Sequence, residues 1–150
     1  MSRLSSGPLI TLALISGFLT VVSLVLPWFD VLGRQRSSID IVRSAGVLDM
    51  IEGAVKVLVI LGWFLAPILV SGAMLLAAAG RHRTAAILLL PVGLVTVGVV
   101  GIGAFVDELE LVWGAFIGLA AALVASILAI MVLVTPRPTP VRAPNPVGSQ

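Results

Sequence analysis

Four long apolar stretches separated by short polar ones set the pattern of this chain. They run from Pro8 to Leu26, from about Ala54 to Ala79, from Thr84 to Val106 and from Leu111 to Val134. Each has 19 residues or more, close to the roughly 20 that carry a helix across a hydrocarbon core. Lipid offers no water to backbone groups, so such runs are helices or strands of a closed barrel. The alternation of barrel strands is missing here. The pattern predicts an all-α membrane protein, a four-transmembrane-helix bundle over residues 1–134 with spans at about 8–27, 54–79, 84–106 and 111–134. An outer loop fills about 28–53, and a disordered, Pro-rich cytoplasmic tail fills 135–150. The first run is longer than a signal-peptide core and no A-x-A site follows it, so it is expected to stay as an uncleaved helix.

Inside the outer loop the period changes. Trp28–Leu32 and Ser37–Ile41 are β-compatible stretches flanking Gly33-Arg34-Gln35-Arg36, which suits a small β-hairpin. Val47–Glu52 reads as exposed first turns of the second helix, with Asp49 and Glu52 at its positive end. A helix from there to Ala79 would be about 50 Å long and would project past the bilayer. Lys56 would then lie near the outer interface, where its stem can snorkel.

Basic residues next to short loops set orientation. The turn Arg81-His82-Arg83-Thr84 is basic and the turn Asp107-Glu108-Leu109-Glu110 is acidic. Both termini are therefore expected in the cytoplasm. Trp28, Phe29, Trp63, Phe64, Phe105, Trp113 and Phe116 then fall toward the outer ends of the helices, and Phe18 does not. Trp usually marks both interfaces. The one-sided set reads either as an unbalanced belt or as a packed collar under the loop.

Composition sharpens this picture by exclusion. Of 150 residues, 59% are hydrophobic and 11% charged, against about 25% charged in soluble domains. A soluble enzyme domain and a disordered chain are both excluded. The formal charge is only +2, without a dense Lys/Arg run, which disfavours nucleic acid as a partner. Cysteine is absent, so there is no disulfide, thiolate metal site or thiol nucleophile. Arg outnumbers Lys eight to one, and the abundance of Ala, Val, Leu and Gly is that of a high-GC bacterial genome. The expected location is the bacterial cytoplasmic membrane.

A first span ending in Leu26-Pro27-Trp28, followed by a short β-like loop, resembles small four-span actinobacterial membrane proteins of unknown function. The layout is also similar to the claudin topology: four spans, a Trp-bearing first outer loop and both ends inside. The cysteine pair of the claudin loop is absent, so the similarity implies a topology and not paracellular sealing.

Candidate chemistry is sparse. The outer acids Asp30, Asp40, Asp49, Glu52, Asp107, Glu108 and Glu110 carry the right atoms for calcium or magnesium. Their spacing is not that of a calcium loop, and they read as solvated or salt-bridged groups. No metal or cofactor is called for. The spans contain no ionisable residue beyond interfacial Lys56, which argues against proton relays, ion coupling and intramembrane hydrolysis. His82 reads as a surface residue near lipid headgroups. Gly114, Gly118, Ala122 and Ser126 recur every four residues, and Ala121, Ala125 and Ala129 form a second stripe beside them. Such faces serve helix packing within the bundle or contact with a membrane partner or second copy. Pro67 and Pro91 kink their helices, for packing or to open a cavity. The leading expectation is a non-enzymatic accessory or scaffolding subunit of a bacterial envelope complex, presenting an outer-loop interaction surface that includes Trp28, Asp30, Asp49 and Glu52. The alternative is a small transporter or a protein that binds lipid or another hydrophobic ligand.

Overall fold

The computed structural model describes residues 6–43, 54–104 and 110–136. They are mostly helical. The helices are α1 (Ser6–Ser23), α2 (Ser38–Arg43), α3 (Ala54–Ala78), α4 (His82–Ala104) and α5 (Trp113–Val134). The strands β1 (Pro27–Val31), β2 (Arg34–Ser37) and β3 (Glu110–Leu111) form one antiparallel sheet in the order β2-β1-β3. Among the described residues, α1, residues 82–101 of α4, and α5 are long and apolar enough to cross a membrane; the apolar stretch of α3, Gly62–Ala78, is shorter.

Packing is inverted relative to a water-soluble bundle. Only 28–39% of the residues of the three long apolar segments are buried inside the protein. Leu12, Phe18, Leu75, Leu94 and Ile127 all face outward. So many large apolar side chains turned outward suit a lipid environment, where apolar surface needs no cover. α5 is the central helix, packed extensively on both α1 and α4, and α4 packs in turn on α3. Two buried clusters fill the interior. One is aliphatic, built around Ile10, Ala13, Val70, Leu89, Ala129 and Val132. The other gathers Leu24, Trp28, Phe29, Trp63, Val100 and Ala115 at the sheet end.

Polar side chains in the helices close on their own backbones. Thr20 donates to the Ser16 carbonyl at 3.0 Å, Thr96 to Val92 at 2.9 Å and Ser126 to Ala122 at 2.8 Å. Among the described residues no buried side-chain nitrogen or oxygen lacks a partner. In a medium without water that closure removes a penalty of several kcal/mol per group.

Four features differ from the sequence reading, each for a physical reason. α1 stops at Ser23 rather than near 27, because the next three amides bond three residues back: Leu24 to Val21, Val25 to Val22 and Leu26 to Ser23. Pro27, with no N–H, cannot continue the helix. The hairpin is present, but its turn is Leu32-Gly33, with φ of 54° and 75°, as a two-residue primed turn requires. The stretch Ser37–Ile41, expected as the second strand, instead opens α2. Ser37 caps it: the Asp40 amide donates to Ser37 Oγ at 3.1 Å, and Ser37 Oγ donates to Asp40 Oδ2 at 2.8 Å. The last span begins at Trp113, since Glu110-Leu111 joins the sheet as β3. The expected helix start at Val47–Glu52, with Asp49 and Glu52, lies outside the described residues, as do Asp107, Glu108 and the tail from 137.

Candidate functional site

The sheet end is assembled around Trp28. The β1–β2 register slips between Pro27 and Phe29, so Trp28 is the extra residue of a bulge. A bulge re-aims a side chain, and here Trp28 and Phe29 are both buried although they are sequence neighbours. Trp28 is 0% exposed. Its Nε1–H donates to the Ser23 carbonyl at 2.6 Å. Its ring stands edge-on to Trp63, with centroids 5.0 Å apart and planes at 77°, a favoured aromatic geometry. The Trp28 carbonyl accepts the Val112 amide at 2.8 Å, which fixes the entry into α5. Ser38 Oγ, also buried, donates to the Leu24 carbonyl at 2.6 Å. The carbonyls released where α1 unwinds are thus taken by the loop that follows it.

The small residues of α5 make this close approach possible. Gly114 lies against the Pro27 carbonyl and the Leu26 side chain, leaving no room for a Cβ. A Cβ on Gly118 would stand 2.5 Å from Ser23 Oγ and 2.7 Å from the Trp28 ring. Ala122 is buried, and Ser126 lies against Gly93 of α4. Gly114, Gly118, Ala122 and Ser126 are therefore placed inside the molecule, against the α1–β1 junction and α4. Of the aromatic set, Trp28, Phe29 and Trp63 form a packed cluster beneath the sheet. Phe64, Trp113 and Phe116 face outward, and Phe105 is outside the described residues.

Above this cluster the sheet turns polar groups outward. Asp30 is the register partner of Gln35 on one side and Glu110 on the other, so the three share one face. Arg34, Gln35 and Arg36 are exposed, and Leu32 at the hairpin tip is 100% exposed. Trp28 and Asp30 consequently have different roles: the first is an internal anchor, the second part of the displayed surface. The sequence signal for this was the Pro27-Trp28-Phe29 junction; the bulge that buries two adjacent aromatics leaves no mark on a period-two pattern. Among the described residues no three of His, Cys, Asp and Glu gather in metal-binding geometry.

The opposite end has a second polar site. A cavity of about 310 Å³ is lined by Ser6, Arg81, His82, Arg83, Thr84 and Thr135, among others. It brings together the start of α1, the α3–α4 turn and the end of α5. Gly80, at φ 75°, ends α3 with its amide on the Ala77 carbonyl and the Arg81 amide on Leu76, a Schellman arrangement. The reversal delivers Arg81 as the residue before α4. Arg83 Nη2 donates to the Thr135 carbonyl at 2.6 Å, and Ser6 Oγ lies 3.4 Å from His82 Nδ1. His82, read from sequence as a surface residue, is half-buried at this cavity. Comparison with protein-family models, curated proteins and solved structures finds no match to this chain.

Proposed function

We propose that this protein is a non-enzymatic four-span protein of the bacterial cytoplasmic membrane that displays its sheet outward as a rigid docking platform for an envelope complex. In this reading α3 is the remaining span: it runs 25 residues without a break and carries a single charge, Lys56. Residues at the start of α1, the α3–α4 turn and the end of α5 share one cavity, which supports reading the helices as an up-down bundle. The carrying observation is the fixed hairpin. Trp28, Ser38 and Val112 tie the sheet to the helices, while Leu32, Arg34, Gln35 and Arg36 are turned to the exterior. Exposed Arg34 and Arg36 beside the hairpin tip are of the residue type enriched among the hot spots of partner interfaces.

The absence of native cysteine makes the test direct. Single-cysteine variants Leu32→Cys and Arg81→Cys are treated in intact cells with a membrane-impermeant maleimide. Labelling of position 32 alone, with position 81 reacting only after permeabilisation, is the expected result; the reverse pattern would overturn the orientation. A photo-crosslinker at position 32 should then give a discrete adduct that the same group at lipid-facing Leu75 does not give. A chain that stays monomeric and uncrosslinked from the tip is not a docking subunit.

A further inference from the structure

The charge on this chain is divided more sharply than its +2 total suggests. All seven acidic residues fall at positions 30–52 and 107–110. Arg81 and Arg83 lie at the opposite end, in the α3–α4 turn, where no acidic side chain among the described residues lines the cavity. The cavity at that end is small, about 310 Å³, at the low limit of ligand sites. Its polar lining is Ser6, Thr84, Thr135 and the Arg81-His82-Arg83 run.

We propose that this cavity binds an anionic phosphate group, with Arg81 and Arg83 as its charged contacts. A guanidinium has five N–H donors in a plane that matches phosphate oxygens. The Thr135 carbonyl engages Arg83 through Nη2, which holds the planar group at the cavity wall with other donors to offer. Arg81 is exposed beside it, and the hydroxyls of Ser6 and Thr84 add donors. The volume admits a headgroup-sized phosphate and is small for a nucleotide. The phosphate has two sources, an anionic phospholipid or the solute. The lipid source rests on the membrane reading above; the chemistry of the cavity does not. Basic pockets between helices on the cytoplasmic side suit anionic headgroups.

Full-length protein in detergent, given equal amounts of dioleoylphosphatidylglycerol and dioleoylphosphatidylcholine, is read by native mass spectrometry. A parallel sample is titrated with inorganic phosphate. Retention of the anionic lipid over the zwitterionic one, unaffected by phosphate, assigns the site to a headgroup. Phosphate binding that displaces the lipid assigns it to the soluble anion. In either case the double variant R81Q/R83Q should bind at least about tenfold less, and R34Q/R36Q, which removes equal charge at the other end, should bind as the parent does. Arg83→Lys, which keeps the charge but loses the fork that spans Thr135 and the phosphate, should bind several-fold less than the parent yet more than R83Q, and R81Q alone, at an exposed position, should lose several-fold with the melting temperature unchanged. Equal binding by R81Q/R83Q and the parent, or equal loss in R34Q/R36Q, overturns the proposal. The result is independent of the labelling pattern at Leu32, so either reading can fail alone.

Discussion

The two ends of the bundle are closed by different means. At the sheet end, Trp28 is fully enclosed, the Ser23 carbonyl accepts its indole N–H, and Gly114 and Gly118 let α5 lie directly on the α1–β1 junction. At the other end the chain turns through Gly80, and the helices leave a cavity with basic walls, bridged by Arg83 and Thr135. Packing and desolvated hydrogen bonds hold the first end. The second rests on aliphatic packing around Ile10, Ala85, Ala86 and Val132, with Arg83 and Thr135 at its polar rim, and leaves its charge available. Substitutions at the sheet end should therefore register in stability, and those at the basic end in binding.

The largest effect is expected from Trp28→Ala. Truncating a buried aromatic costs about 3–5 kcal/mol, and here the Ser23 and Trp63 contacts go with it. Thermal unfolding in detergent should show a large fall in midpoint, while Arg83→Gln should cost less than about 1 kcal/mol, the scale of one partly solvated hydrogen bond. Equal losses for the two would erase the contrast. Gly118→Ala comes next. Its added methyl meets both Ser23 Oγ and the Trp28 ring, two groups fixed by hydrogen bonds, so overpacking should cost about 1–3 kcal/mol. If the variant melts with the parent, the sheet is less firmly seated than its contacts imply.

How much of this was legible in the sequence follows from what each feature writes into the pattern. Apolar runs of helical length mark their own extent, and β1 with its hairpin was visible in the change of period around Gly33. The ends of the elements were not visible. α1 tightens and stops at Ser23 ahead of Pro27, and the Ser23 and Leu24 carbonyls there accept from Trp28 and Ser38, side chains that only the folded loop brings back. Ser37–Ile41 reads as a strand by side-chain type, yet Ser37 and Asp40 close a cap that starts a helix. The α5 stripe was legible as a close-packing face, but whether it met its own bundle or a partner depended on tertiary contact. The basic cavity joins residues 6, 81–84 and 135, and no linear window contains them.

A finer probe of the seating is Ser38→Ala. Ser38 Oγ is the donor to the Leu24 carbonyl in a buried position, so its loss should cost about 1 kcal/mol or somewhat more. Ser37→Ala removes the cap of α2 in more exposed surroundings and should cost about 0.5–1 kcal/mol. The order of these two losses, read from the same unfolding curves, tests whether burial or local capping does more to hold the loop.

The smallest expected effect has the opposite sign. Asp30 stands directly across β1–β3 from Glu110, with Gln35 on its other side, and like charges directly opposite in a sheet destabilise it. Asp30→Asn should raise the unfolding free energy by a few tenths of a kcal/mol at low salt. The gain should shrink in about 1 M salt, where the screening length falls to about 3 Å. A loss of stability instead would mean that Asp30 is held by an attraction that outweighs Glu110. The sheet end would then depend on charge as well as on packing, and the division between the two ends would have to be redrawn at the outward face of β1.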